Sequence, residues 1–332
     1  MKKMSSQVCA HKYEIARLGS LNFQVSQIVY LISIVVTFIS SYFAIKIVHR
    51  KSIFQFSTKL LLFQNIFSAN LHQLFYGFAA FDRLYMAFFR LNDPCIPLHV
   101  ESDCVLFLQI LVAGVSGMIY GQTGLLVERA CATFMKEYGK KKSLLIGSLI
   151  CLMVLVLSGS TGRIIVWDDT LKNYLLSCNS FPRQSQERSA TFFSICTFLS
   201  LFNLLISVFM WKYNQKFEYS TPFVVGPRFR KREVLDSTRT ICFLAFIQFI
   251  FMFIYSFGIF MLKTFRENFT YERYYFWVVW LYTIPFTAAL FPVLLVYRIR
   301  SSHFSRVMII KKFTNTKQTQ EDHIKQMKMV WD

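Results

Sequence analysis

The sequence predicts an all-α membrane protein, a seven-transmembrane helix bundle, on three observations: long charge-free stretches, an uneven spread of basic residues between them, and aromatic rings at their edges. Stretches 25–45, 60–81, 104–127, 143–162, 190–211, 240–262 and 274–297 contain no Asp, Glu, Lys or Arg. Each has 20 to 24 residues, and a helix rising ~1.5 Å per residue needs about 20 to cross ~30 Å of hydrocarbon. A water-soluble chain of 332 residues could bury one or two such runs. Seven in series at matched length have no soluble counterpart.

Direction follows from the connecting segments. Segments 46–59, 128–142, 212–239 and 298–332 hold 24 Lys and Arg against 8 acids, whereas 1–24, 82–103, 163–189 and 263–273 hold 13 against 10. Because Lys and Arg are retained on the cytoplasmic side, the first set is expected inside. The N-terminus is then outside and the C-terminus cytoplasmic. Lys2, Lys3, Lys12 and Arg17 make segment 1–24 mildly basic against this trend, and the remaining loops outweigh it. The net charge of +19 therefore serves topology and contact with membrane lipid, and no nucleic acid is expected as a partner. The chain divides into an extracellular N-terminal segment (1–24), the bundle (25–297) and a cytoplasmic tail (298–332).

Taken in order, the N-terminal segment is expected to carry no cleavable leader, since the apolar run after Lys2 and Lys3 begins only at Val25 and is too long for an h-region. The second span climbs outward and places His72 and Gln73 past the membrane midplane; the third descends from Cys104 and places Gln109 in its outer third. Tyr255 falls in the outer half of the sixth span, and Trp277, Trp280 and Tyr282 in the outer half of the seventh. Polar groups inside spans are costly, so these seven are candidates for one outward-facing cavity. Mostly aromatic with a few hydrogen-bonding groups, it suits a small organic molecule rather than a highly charged one. Helix-to-helix hydrogen bonding is the competing reading for each, and the preferred one for Gln64, Asn65, Asn70, Gln122, Thr123 and Asn203. Trp211, Trp277, Trp280, Tyr274 and Tyr275 suit the interface belt. Pro285 and Pro292 are expected to kink the seventh helix and free backbone groups there.

Of eight cysteines, Cys9, Cys95, Cys104 and Cys178 fall on the outer, oxidising side. Four cysteines allow three pairings, which sequence leaves open; we favour Cys104 with Cys178, pinning the long loop over the bundle, and Cys9 with Cys95. Cys131, Cys151, Cys196 and Cys242 read as small packing residues. Asn268 opens an N-x-T sequon in the third outer loop, a candidate glycosylation site.

At the inner end of the third span, Glu128 and Arg129 stand at the edge of an otherwise uncharged helix, where an acid–base pair can exchange partners as helices move. Glu233 and Asp236, after the basic run Arg228, Arg230, Lys231 and Arg232, are candidate partners that would hold helices three and six together. Beyond the seventh span, Phe304, Val307 and Met308 recur at helical spacing among Arg306, Lys311 and Lys312, which predicts a short amphipathic helix on the inner leaflet.

No CxxC or HExxH spacing appears, so no metal and no cofactor are expected. The spans supply one His and no acid, too little for catalysis, and the chain does not read as an enzyme. A ligand-gated channel subunit remains the alternative to a receptor, and a non-sensory membrane protein a third reading.

Cys9-Ala10, LGSLNFQVSQ (18–27), LLFQNIFSANLH (61–72), LVERACATF (126–134), RFRKRE (228–233) and FPVLLVYRIR (291–300) together resemble the nematode serpentine receptors of class alpha, the Sra family. The match runs in order along nearly the whole chain. It implies a GPCR-like chemoreceptor on sensory neurons, concentrated in their cilia, that detects a small extracellular chemical and signals to a heterotrimeric G protein. It also supports Glu128-Arg129 as counterpart of the acid–arginine switch of rhodopsin-like receptors. The sequence departs from that wider pattern in lacking an aromatic residue after Arg129, a proline in spans five and six, and Asn-Pro-x-x-Tyr in span seven.

Overall fold

The computed structural model describes residues 9–51, 54–91, 93, 98–135, 138, 140–219 and 225–315, with some side chains at helix ends left out. After a short helix α1 (Lys12–Leu18) come α2 (Leu21–Lys51), α3 (Phe56–Phe89), α4 (Glu101–Phe134), α5 (Lys140–Ile165), α6 (Gln186–Tyr219), α7 (Val225–Thr264), α8 (Tyr271–Leu281) and α9 (Ile284–Asn315). Two-residue strands β1 (His99–Val100) and β2 (Tyr174–Leu175) pair antiparallel. Helices α2, α4, α5, α6, α7 and the α8–α9 pair are long and apolar enough to cross a membrane. Helix α3 is the seventh. Its hydropathy is diluted by Gln64, Asn65, His72 and Gln73, all of them buried against neighbouring helices.

The helices close a ring: α2 packs on α3, α3 on α4, α4 on α6, α6 on α7, α7 on α9, and α9 back on α2, with α5 applied to α3 and α4. Helix α4 runs through the middle; 61% of its most apolar window is buried, against 22% for α5 and α7. The outward faces are apolar instead of polar. Leu145, Leu149, Leu152 and Val156 on α5, and Phe198, Phe202, Leu205 and Phe209 on α6, are all exposed at helical spacing. Such continuous apolar faces are untenable in water and fit a lipid surround.

Between α3 and α4 the fit depends on small residues. A Cβ added to Gly114 would stand 2.7 Å from the His72 backbone nitrogen, and one on Gly121 would meet the Asn65 side chain at 2.5 Å. Glycine lets the two backbones approach as no other residue would. Amides then tie the helices: Gln64 donates to Cys151 O at 3.1 Å, Asn70 to Ser41 Oγ at 2.9 Å, Gln122 to Ile241 O at 3.1 Å and Asn203 to Thr123 Oγ1 at 2.9 Å. These are the residues read from sequence as bundle glue.

The last spanning unit is broken, not simply kinked. Helix α8 ends at Leu281, and α9 restarts at Ile284 with Pro285 in its first turn and Pro292 inside it. Proline lacks an N–H and crowds the carbonyl four residues earlier, so the interruption falls just ahead of Pro285. Segment 301–312 is helical, as its spacing predicts, but as a direct continuation of α9 and not as a separate helix.

The segment before α2 is folded onto the bundle. Ala10 and Leu18 are buried in one apolar cluster with Phe23, Tyr30, Tyr76 and Val279, and Leu98 and Leu176 from the loops pack against it. The Cys104–Cys178 disulfide is present, with Cα atoms 4.7 Å apart. Beside it the buried Glu101 carboxylate accepts the backbone N–H groups of Asn173 at 3.2 Å and Arg183 at 3.4 Å. Cys9 is also disulfide-bonded, whereas Cys95 lies outside the described residues. Asn268 closes a short exposed 3-10 turn, Arg266–Asn268.

Candidate functional site

Beneath this covering, three of the seven polar and aromatic candidates come together. The His72 ring is fully buried, and its Nε2 lies 3.2 Å from the Tyr282 hydroxyl. The Tyr282 ring contacts Tyr255 at 5.7 Å between centroids and Tyr76 at 5.1 Å. Tyr76 follows His72 by one helical turn and stacks on it at 5.8 Å, as residues four apart on one face do. Tyr30 of α2 closes the group edge-on to Tyr76 at 5.5 Å. Its single O–H is shared between Val279 O and, at 3.2 Å, Tyr282 O, carbonyls at the helix break. The break thus gives the cluster polar backbone groups inside an apolar setting.

The other four candidates do not join. Gln73 is turned one residue away: its amide donates to Thr37 Oγ1 at 3.1 Å and Pro285 O at 2.6 Å, fastening α2, α3 and α9 below the cluster. Gln109 faces the α5 side of α4, where its Cα would lie 2.8 Å from a Cβ on Gly162. Trp277 is 48% exposed because, two residues before the inward-facing Val279, it points to the opposite side of α8. Trp280 donates to Asn22 Oδ1 at 2.8 Å and anchors α8 to α2. Sequence reasoning missed Tyr30 and Tyr76. The spacing from His72 to Tyr76 was the available signal for one; the other depends on helix packing.

At the opposite end, Glu128 and Arg129 are both fully buried. Arg129 grips the neighbouring carboxylate with two bonds, Nε to Oε2 at 2.7 Å and Nη2 to Oε1 at 2.6 Å. Three hydroxyls complete the carboxylate: Ser57 at 2.5 Å and Thr58 at 3.1 Å from α3, and Tyr138 at 2.8 Å. Ser143 of α5 shares a hydrogen bond with Ser57 at 2.7 Å. Burial holds the Tyr138 phenol above its ordinary range, so it stays protonated and donates. Desolvating two ions costs several kcal/mol each, and a buried pair persists where further hydrogen bonds satisfy it, as here.

The expected latch from Arg129 to an acid on α7 takes a different form. Arg129 Nη1 reaches α7 at Ser237 Oγ, 3.3 Å away, next to Asp236 in sequence. Glu128 already neutralises the guanidinium, and among the described residues its contact on α7 is the Ser237 hydroxyl. The Glu233 side chain lies outside the described residues.

Among the described residues no group of three His, Cys, Asp or Glu side chains is arranged to hold a metal ion. Two clusters therefore define the chain, an aromatic one under a disulfide-tied covering and a buried ion pair at the far end, and α3 and α4 contribute to both regions.

Known proteins are similar to this chain along nearly its whole length. The family described as serpentine type 7TM GPCR chemoreceptor Sra matches residues 4–331. Serpentine receptor class alpha-7 of Caenorhabditis elegans is 68% identical over 329 residues, covering 99% of this chain and 100% of the relative. Class alpha-3 of the same organism is 64% identical over the same shares, and class alpha-4 is 60% identical over 328 residues, 99% of this chain and 100% of the relative. The chain belongs to the Sra family of serpentine seven-transmembrane chemoreceptors.

Proposed function

We propose that this protein is a G-protein-coupled chemosensory receptor of the plasma membrane, displayed on sensory-neuron cilia with its N-terminus outside. A small extracellular chemical engages the His72, Tyr76, Tyr255 and Tyr282 cluster, and the basic inner loops and tail meet a heterotrimeric G protein. The observation that carries this reading is the pairing of the two clusters on shared helices. His72 and Ser57 both belong to α3, so a ligand that shifts the outer part of α3 acts on the helix that holds the Glu128 carboxylate. Only a ligand with different affinity for the two arrangements can drive such a shift. The inner ion pair is satisfied in this structure, which fits the resting arrangement; release of the Ser237 contact would free the inner end of α7 from Arg129.

The test is expression of the chain in a reporter cell with a heterotrimeric G protein, challenged with volatile and water-soluble chemicals. A second-messenger response abolished by G-protein blockade is expected. Rapid ligand-evoked current that survives the blockade would instead identify a channel subunit.

A further inference from the structure

Two guanidinium groups lie at the covered end of the aromatic cluster. Arg83 of α3 is only 9% exposed, and its charge sits over the Tyr76 ring at 5.6 Å and the Phe23 ring at 5.8 Å. Arg17 of α1 shares that Phe23 ring from 5.6 Å and lies over Tyr275 at 4.6 Å. Among the described residues neither arginine forms an ion pair. Glu14, the carboxylate nearest Arg17 in sequence, caps α1 by accepting the His11 N–H at 2.9 Å.

What does hold the arginines is neutral. Arg83 donates Nε to Ala79 O at 3.1 Å, and its terminal nitrogens face the Asn179 amide, whose oxygen accepts them at 3.3 and 3.1 Å when the amide is turned to satisfy both groups. Arg17 Nε is buried with no hydrogen-bond partner. Burial, reinforced by the Arg83 charge, lowers the Arg17 pKa from its ordinary value, although an arginine stays charged at any physiological pH. Two like charges brought together beneath the covering, faced mainly by rings and amides and with Glu14 the carboxylate acting on Arg17, leave a positive field that is only partly offset among the described residues. Cation–π contacts and amide hydrogen bonds offset part of that cost. A guanidinium fork matches a carboxylate in both shape and charge.

We propose that Arg17 and Arg83 form an anion subsite, and that the natural ligand is an organic acid whose single carboxylate binds there while its apolar or aromatic body lies against Tyr76 and Tyr282. The proposal rests on the receptor reading above and specifies its ligand class. It also gives the N-terminal helix a task, since Arg17 completes the subsite only when α1 is folded over the bundle.

The experiment uses the full chain in lipid nanodiscs and follows its thermal melting. Probes are phenylacetate, phenylpropanoate, hexanoate and octanoate, each beside its primary amide. At least one acid is expected to raise the melting temperature at concentrations about tenfold or more below its amide. Arg17→Gln and Arg83→Gln should each erase that preference, and Arg83→Lys, which keeps the charge, should retain most of it even where Arg83→Gln folds poorly. Equal effects of acid and amide, or an acid preference untouched by Arg17→Gln, would overturn the subsite. Amides that stabilise the protein through a Tyr282→Ala-sensitive site, without acid preference, would leave the receptor reading standing and remove only the subsite. No stabilisation by either series would count against both. Discs of neutral phosphatidylcholine are compared with discs containing phosphatidylserine: arginine-dependent stabilisation by phosphatidylserine alone would make a lipid headgroup the anion and refute the soluble acid.

Discussion

Tyr282 is the residue on which the aromatic cluster turns, touching His72 through its hydroxyl and Tyr30, Tyr76 and Tyr255 through its ring. Tyr282→Phe keeps the ring and removes the hydroxyl, leaving His72 with both ring nitrogens unpaired, since Nδ1 already has no partner. The expected cost is about 1 to 3 kcal/mol, read as a lower melting temperature of the purified receptor. At the other end, Arg129→Ala strips a buried carboxylate of its counter-ion. A loss of roughly 3 to 5 kcal/mol is expected, with altered coupling in whatever fraction reaches the surface. Ser237→Ala removes only a hydroxyl contact; stability should fall by about 1 kcal/mol or less while basal signalling rises, because the inner end of α7 is no longer held by Arg129. Basal second-messenger output at matched surface expression measures that difference. These residues also show what sequence made legible. His72 and Glu128-Arg129 stood out because polar groups in charge-free spans are rare and expensive. Tyr30 and Tyr76 did not, because aromatic residues fill such spans for many reasons and only packing selects the few that meet.

Elements were easier to read than sites. Six of the seven charge-free stretches fall within single helices and the seventh straddles the α8–α9 break, yet the helices extend beyond them, as α3 does from Phe56 to Phe89, because the interface tolerates charged turns that a charge-free criterion excludes. The break between α8 and α9 was foreshadowed by Pro285, but its position ahead of the proline required the carbonyl clash to be weighed. What composition concealed was the fold of the N-terminal segment, whose few apolar residues, Ala10 and Leu18 among them, are buried only because a cluster exists beneath them. The covering is fastened covalently, and the Cys104–Cys178 bond closes a separation of 74 residues. On loop entropy alone its removal in Cys104→Ser costs up to about 4 kcal/mol, and ligand response should fall more than the helical signal in circular dichroism. Gly114→Val tests the α3–α4 seam, where a side chain would push directly into the His72 backbone. Reduced surface expression is expected, with any surviving receptor unresponsive.

For the molecule as a whole, the segments rich in Lys and Arg alternate along the sequence with those that carry the disulfide, so the two sets are expected on opposite faces of the membrane. Epitope tags on the two termini should therefore label opposite faces of intact cells, the N-terminal tag without permeabilisation and the C-terminal tag only after it. Both tags on one face would refute an odd number of crossings. The jointed seventh unit bears on how such a body could pass a message across its thickness. A rod interrupted at Tyr282 and Thr283 can swivel at the joint, so its upper piece is able to tilt without thrusting the lower piece downward. The uninterrupted α3, α4 and α7 are stiff enough to carry displacement from one side to the other, and crosslinking that freezes the sliding of α3 on α4 should silence the protein even where the joint is left free.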